Sequence, residues 1–441
     1  MLSLFSAVMA AVAVVSSAST EIEVDFSRAV GTVRPLNGMC NSLPVQGVKT
    51  QRQHDDMLAQ LAALRLPYTR FHDAPLENPG FDLVDISRIF PLMHADLDDP
   101  RNFNFGPTDD YVADCLSTGT KIEFRFGETI ELSRRHYKIC VPDDIARWAE
   151  VCMRIARHYR DAVESWSIWE EPNNKDLLSG TNAYPEAFLE MYVTLAKRLK
   201  QEFPEMPVGG CAFIPRMKEV ELFLAGCRKA GAPLDFFSYT SYNWTVKGFG
   251  EHSRSIKAAL VKYGYEDVPL RVAEWHRCKP LAPGKPRGNM LIDMNAVGMQ
   301  AGVLSAAQDM PVDRLYFYAA YLKDWGLFDG DRPRPIWHVF RAYRDFREAG
   351  ERVAAEVRSP EEGWHALAAR SADGKGLLMV SGYDVKPGPV TVVVKGGAVP
   401  TEVRRLTEKD GFKPIDGWTF ADGRLVLTHS VVGGVVWLIR F

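Results

Sequence analysis

The chain has 441 residues, enough for two or three domains or for one large α/β barrel with an accessory unit. Its 53 Lys and Arg against 56 Asp and Glu leave a formal charge of −3, and 46% hydrophobic with 25% charged residues is ordinary globular usage. A basic nucleic-acid binder, a disordered chain, a collagen and a coiled coil are excluded by these figures and by the lack of a short repeat.

Taken in chain order, residues 1–15 are an apolar run, and Ser16-Ser17-Ala18-Ser19 are small residues that a signal peptidase accepts. Residues 1–19 therefore read as a cleaved export signal, and the expectation is a periplasmic or extracellular protein. No later stretch of eighteen apolar residues exists, so no membrane span is expected after cleavage. Cys40, Cys115, Cys140, Cys152, Cys211, Cys227 and Cys278 show neither a C-x-x-C pair nor zinc spacing. They read as small buried apolar residues, with one disulfide compatible with export.

Residues 20–32 contain an alternating run, 21–26, expected to join β-structure at the far end of the chain. From 33 to 349, short apolar or β-branched runs alternate with longer amphipathic segments. Strands are predicted at 36–41, 67–72, 120–126, 163–169, 206–211, 234–240, 268–273 and 313–319. Helices are predicted at 52–65, 143–160, 185–203, 217–230, 252–263, 289–308 and 335–348. Eight strand-helix units without a Gly-rich phosphate loop predict a (β/α)8 TIM barrel rather than an open doubly wound sheet. From 350 to 441 the texture changes to short β-type runs at 364–369, 376–381, 390–394, 402–406, 424–429 and 434–441, separated by turns such as Asp373-Gly374 and Asp422-Gly423. This predicts an accessory antiparallel β-sandwich domain. A long connection over 74–107, rich in proline, is expected at the catalytic face, because long loops in compact domains are usually functional.

Active sites of such barrels lie at the carboxyl ends of the strands, so charged residues directly after an apolar strand are the informative ones. The fourth strand ends in Trp169-Glu170-Glu171-Pro172-Asn173-Asn174 and the seventh in Ala273-Glu274-Trp275-His276. Strands four and seven face each other across a barrel mouth, so two carboxylates there can flank one bound bond. Each has a tryptophan beside it whose flat face can stack on a sugar ring. Glycosidases use such a pair, about 5–5.5 Å apart for retention and about 6.5–9.5 Å for inversion.

These residues resemble a known group. Trp169-Glu170-Glu171-Pro172-Asn173 is similar to the Trp-Asn-Glu-Pro signature of the clan A glycoside hydrolases, and Ala273-Glu274-Trp275 is similar to their nucleophile motif. Within the clan the chain resembles glycoside hydrolase family 39, the β-xylosidase and α-iduronidase type. The likeness extends over most of 34–345. It includes Arg70-Phe71-His72-Asp73, Val84-Asp85-Ile86, Phe90-Pro91, Phe124-Arg125-Phe126-Gly127-Glu128, Asp235-Phe236-Phe237-Ser238 and Gly326-Leu327-Phe328-Asp329. The resemblance implies a retaining barrel enzyme with a β-sandwich built from both termini, Glu171 as general acid/base and Glu274 as nucleophile, and no metal or organic cofactor. Three positions depart from the pattern. Glu170 stands where an Asn contacts the sugar 2-hydroxyl, Thr240 where a His is expected, and His276 where an Asn is common. Tyr242 sits where a tyrosine bonded to the nucleophile belongs. A carboxylate at 170 only accepts, so it demands a donor, either from an amino or donor-rich sugar or from an arginine such as Arg70.

Further candidates for substrate contact are Arg70, His72, Asp73, Glu128, Trp169, Glu170, Asn173, Tyr242, Trp275, His276 and Trp325. The function expected is a retaining glycoside hydrolase of oligo- or polysaccharides, with carbohydrate as partner and no nucleic acid. Two alternatives stay open on the residues alone: a carbohydrate-binding barrel with altered catalytic positions, and an inverting glycosidase. The sequence does not determine the sugar, the linkage or the oligomeric state.

Overall fold

The computed structural model describes residues 19–40, 50–72, 83–128, 142–174, 186–278, 291–321, 325–430 and 432–441. The export signal up to residue 18, Asp73 and Cys140 lie outside the described residues. In chain order the elements are β1 (Thr20–Thr32), β2 (Gly38–Cys40), α1 (Gln51–Ala62), β3 (Tyr68–Arg70), α2 (Ile86–Ile89), α3 (Gly106–Ser117), β4 (Lys121–Phe126), α4 (Ile145–Tyr159), β5 (Ser165–Ile168), α5 (Glu186–Glu202), β6 (Val208–Phe213), α6 (Met217–Ala230), β7 (Phe236–Asn243), α7 (Val246–Lys262), β8 (Leu270–Arg277), α8 (Met294–Ala306) and β9 (Arg314–Phe317). A two-residue ribbon, β10 (Phe328–Asp329) with β11 (Arg332–Pro333), precedes α9 (Pro335–Ala349).

Strands β2 to β9 pair in parallel, each with the next, and β9 returns to β2 with Gly38 opposite Tyr316 and Met39 opposite Phe317. This closed eight-stranded barrel is the architecture predicted from the alternating pattern. Local chemistry sets the helix ends. Thr50 starts α1 through a reciprocal capping box with Gln53, and the Asp144 carboxylate accepts from the Arg147 backbone N–H at 2.8 Å to start α4. Helix α7 begins at Val246, six residues ahead of the predicted 252, because Thr245 accepts from the Gly248 N–H at 3.1 Å and nucleates an earlier turn.

After α9 the chain enters a sheet containing β12 (Glu351–Arg358), β13 (Trp364–Arg370), β14 (Gly376–Val385), β15 (Gly388–Lys395), β16 (Glu402–Thr407), β17 (Gly411–Pro414), β18 (Thr419–Ala421), β19 (Arg424–His429) and β20 (Gly433–Arg440). Its order is β17-β16-β20-β14-β13-β12-β1-β15-β19-β18, antiparallel except where β1 runs alongside β15. The sheet curls as a β-sandwich around a second core of Ile22, Val24, Val380, Val392, Leu427 and Trp437. Strand β12 is not among the predicted runs, since ERVAAEVR mixes charge with small apolar residues and its inner side is Val353, Ala355 and Val357. Helix α8 is buried around nearly its whole circumference between barrel and sheet. Its Gly298 lies so near the sheet that a Cβ there would come within 2.1 Å of the Gly382 carbonyl oxygen, so only glycine fits.

Candidate active site

Strand β5 delivers the first pair of carboxylates through an abrupt exit. Trp169 has φ 70° and Glu171 φ 36°, left-handed conformations that side chains other than glycine seldom adopt and that tertiary packing must hold. Trp169 packs against Trp148 of α4, with ring centroids 6.2 Å apart, and lies over Gly127, where a Cβ would come within 3.1 Å of the indole. Glu171-Pro172-Asn173-Asn174 then closes a turn, with the Asn174 N–H donating to the Glu171 carbonyl at 2.9 Å and Pro172 at the position where its fixed φ favours such turns. The same turn brings the Asn174 amide to Glu171 Oε2 at 2.6 Å, and the Thr240 hydroxyl of β7 donates to Oε1 at 3.0 Å. Glu171 is 6% exposed and held at both oxygens.

Glu274 reaches the interior through an irregularity in β8. Arg271 points into the barrel, where it bonds Glu123 of β4 at 2.7 Å. Regular alternation would then turn Ala273 inward and Glu274 outward. One extra residue in β8 prevents this. Against β7 the pairing steps from Tyr239 opposite Val272 to Thr240 opposite Glu274, and against β9 it steps from Val272 opposite Leu315 to Trp275 opposite Phe317. The bulge at Ala273 re-aims Glu274 into the mouth, a use of bulges common beside active sites. It also makes Thr240, the donor to Glu171, the register partner of Glu274, so the two glutamates are served from neighbouring rungs. The Tyr242 hydroxyl donates to Glu274 Oε2 at 2.5 Å. Burial, then the charge of Glu274 and the neighbouring Tyr318 and Glu171, pushes the Tyr242 phenol well above its usual value, so it remains a donor.

Beneath these residues lies a buried chain of charges. Arg70, at the end of β3, donates to Glu170 Oε2, lies 3.6 Å from Glu274 Oε1 and 3.5 Å from Glu123 Oε1. Glu123 also accepts from Arg271 and from the Tyr316 hydroxyl, each at 2.7 Å. Burial opposes the Arg70 charge, but Glu170 above all, with Glu274 and Glu123, outweighs it and holds the guanidinium well above its ordinary range. His72 places Nδ1 3.4 Å from Glu170 Oε2 and Nε2 3.1 Å from Glu274 Oε1. Of the two donors foreseen for Glu170, the arginine is therefore present within the protein.

Arg70, His72, Glu170, Glu171, Tyr242 and Glu274 are thus brought together, and Trp325 stands edge-on to Tyr242, Tyr318 and His276 at centroid distances of 5.6, 5.5 and 5.2 Å. His276 is buried beside Gln300 and Phe317. Four candidates are placed otherwise. Trp275 is fully buried on the helix side of β8 against Phe249 and Phe317, because the bulge that turns Glu274 in turns its neighbour out. Trp169 is likewise packing. Asn173 spends its amide on the backbone of Ile214, donating to the carbonyl and accepting from the N–H at 2.9 Å each, so it fastens the turn to the segment after β6. Glu128 accepts from the Ser87 N–H at 2.9 Å and the Ser87 hydroxyl at 2.6 Å, which pins the long connection rather than leaving an acceptor for a sugar. Reasoning from sequence missed Asn174 and Thr240 as donors to Glu171. The Glu-Pro-Asn-Asn turn was a usable signal for the first, whereas the second depends on the β7–β8 register.

His72, Glu170 and Glu274 offer ligand atoms within 4.8 Å of one another, a spacing that could hold a metal ion. The Arg70 guanidinium already donates to Glu170 and lies 3.6 Å from Glu274, so the carboxylate oxygens a metal would need are engaged by the protein's own arginine. Among the described residues no helix is long and apolar enough to cross a membrane. The described cysteines, Cys40, Cys115, Cys152, Cys211, Cys227 and Cys278, are all buried.

Known structures share this architecture. The glucosidase from Croceicoccus marinus superposes with a TM-score of 0.74 at 22% identity, covering 96% of this chain and 99% of that one. The GH39 β-xylosidase from Caulobacter crescentus gives 0.67 at 18% identity, covering 96% and 99%. The GH51 α-L-arabinofuranosidase from Thermotoga petrophila gives 0.64 at 15%, covering 95% and 100%. No curated protein sequence matches the chain. The family model described as glycosyl hydrolases family 39 matches residues 22–269, more than half of the sequence, including most of β1, the first six barrel strands, β2 to β7, and the Glu170-Glu171 turn, and on that match the chain belongs to glycosyl hydrolase family 39.

Proposed function

We propose that this retaining glycoside hydrolase works through Glu171 as general acid/base and Glu274 as nucleophile. The observation that carries the reading is the opposed placement of two buried glutamates, each with both oxygens engaged by protein groups, on strand ends linked through the Thr240–Glu274 register pair. In the first step the Glu171 carboxyl gives its proton to the leaving oxygen while a Glu274 oxygen bonds the anomeric carbon and the glycosidic bond breaks. In the second, the Glu171 carboxylate takes a proton from water, whose oxygen displaces Glu274 and restores it. Tyr242, His72 and Arg70 orient the nucleophile and oppose its charge, and Glu170 holds Arg70 in place.

The sugars named for the Caulobacter crescentus and Croceicoccus marinus enzymes, xylosides and glucosides, head the panel of aryl glycosides and oligosaccharides that tests this. Glu274→Gln is expected to abolish release from any substrate the wild type cleaves. Glu171→Gln is expected to lower kcat about 10²–10⁴-fold on poor leaving groups and much less on good ones, because only the former need the proton. Cleavage of a poor leaving group at an unchanged rate by Glu171→Gln would remove it from the acid role. Proton NMR of the first-formed anomer reads the stereochemistry. The apolar segment 1–15 with its small-residue exit supports export, which sequencing the mature amino terminus after secretion checks.

A further inference from the structure

We propose that His72 is held as an imidazolium by the carboxylates of Glu170 and Glu274 at its two ring nitrogens, and that it acts as a positioning residue keeping the nucleophile ionised and oriented; this rests on the reading of Glu274 as nucleophile.

The first argument is the charge next to each ring nitrogen. A neutral imidazole carries one N–H and one lone pair, and an ionised carboxylate only accepts. With Glu170 Oε2 3.4 Å from Nδ1 and Glu274 Oε1 3.1 Å from Nε2, either neutral tautomer sets a lone pair against a carboxylate oxygen. Neither approach is aligned as a directed hydrogen bond, so what they decide is charge: both nitrogens are better protonated. His72 and Glu170 are fully buried and Glu274 is 1% exposed, so solvent screens these contacts little. Among the described residues no donor reaches the buried Glu170 Oε1, and the cations lie at Oε2.

The second argument is the charge of the whole cluster. His72 is faced by Arg70 on its own strand, by Glu170 beyond β5, by Glu274 on β8, by the neutral Tyr318 ring at 5.8 Å beyond β9, and by Arg125 of β4, which donates to the His72 carbonyl. Arg125 is cancelled by Asp85 at 3.1 Å. With Glu171 carrying its proton as the acid, the described residues of the cluster at 5% exposure or less are Glu123, Glu170 and Glu274 against Arg70 and Arg271, one negative charge in excess. A protonated His72 brings the cluster to neutrality, which a buried network needs. Glu170 creates the demand. With a neutral amide at 170 the tally would balance with a neutral ring. During turnover the first step moves one negative charge from Glu274 to Glu171, and the remaining His72, Arg70 and Arg271 against Glu123 and Glu170 leave a positive pocket that favours return of the Glu274 carboxylate.

The test is long-range proton–nitrogen NMR of protein labelled with 15N-histidine, with the His72 signals assigned by their loss in His72→Gln. The expected result is a His72 ring protonated at both nitrogens at pH 7.5, with its midpoint at least about one pH unit above the usual value of about 6.5. Glu170→Gln is expected to lower that midpoint by about one unit or more, and Glu170→Asp to retain it. A neutral His72 in the wild type at pH 7.5 would overturn the proposal, as would a midpoint unchanged in Glu170→Gln. If Glu170→Gln fails to fold, the wild-type titration alone still decides. The readout needs no turnover, so a neutral ring in an active enzyme sinks only this proposal, whereas glycoside release retained by Glu274→Gln would remove the nucleophile assignment and with it the positioning role, whatever the charge of His72.

Discussion

In the C-terminal sheet the interior is Ile22, Val24, Val380, Val392, Leu427 and Trp437, with Trp437 stacked on Trp364 at 5.9 Å; in the barrel, at the same depth, lie Arg70, Glu123, Arg271 and Glu274. The first core is apolar surface removed from water, worth about 25 cal/mol per Å² and indifferent to direction. The second is a set of paired charges whose attraction is largely offset by their desolvation, so it adds little net stability while specifying where each group points. One region holds the chain together, and the other uses part of that stability to hold carboxylates still.

That contrast can be broken by single substitutions. Arg70→Met removes the cation shared by Glu170, Glu274 and Glu123. It is expected to destabilise the protein by about 3–5 kcal/mol, as breaking a buried charge pair does, and to remove activity with it. Chemical denaturation beside glycoside hydrolysis checks both, and full kcat at unchanged stability would show that the charge chain is dispensable. Trp437→Ala in the sheet is expected to cost a similar ~3–5 kcal/mol through the cavity it leaves, yet with kcat unchanged well below the unfolding transition. A fall in kcat there would mean that the sheet communicates with the barrel mouth.

Glu128 sharpens the comparison on the pH axis. Burial, reinforced by the charge of Asp85, pushes its carboxyl up to about 8, against 4.5 for an unperturbed glutamate. Between those values the folded chain keeps a proton that the unfolded chain has lost, so this group makes stability fall as pH rises from about 4.5 to about 8. Glu128→Gln should flatten that part of the profile of Tm against pH between 5 and 8, and identical slopes in both proteins would contradict the assignment. The smallest effect is expected for Thr240→Val. It removes one donor to Glu171, a bond worth about 0.5–1.5 kcal/mol, so kcat should fall about two- to tenfold with little change in Tm.

Much of this was legible before any coordinates. The eight parallel strands, the change of texture near residue 350 and the two glutamates at strand ends all follow from local periodicity and from which residue comes directly after an apolar run. The Glu171-Pro172-Asn173-Asn174 turn was also readable, because proline fixes φ wherever it stands. What no local pattern contained was the facing of side chains around irregular backbone. Trp169 and Trp275 look like sugar platforms beside the glutamates, but the left-handed residue at 169 and the extra residue at Ala273 send both indoles to the helix side. Thr240 as partner of Glu171, and His72 between Glu170 and Glu274, join residues from 69 to 202 positions apart in sequence. The sequence by itself determined which elements form and which residues end them, since those depend on neighbours a few positions away. Only the tertiary structure decided which groups share a proton or a charge, because that depends on register between strands, where a shift of one residue reverses every side chain.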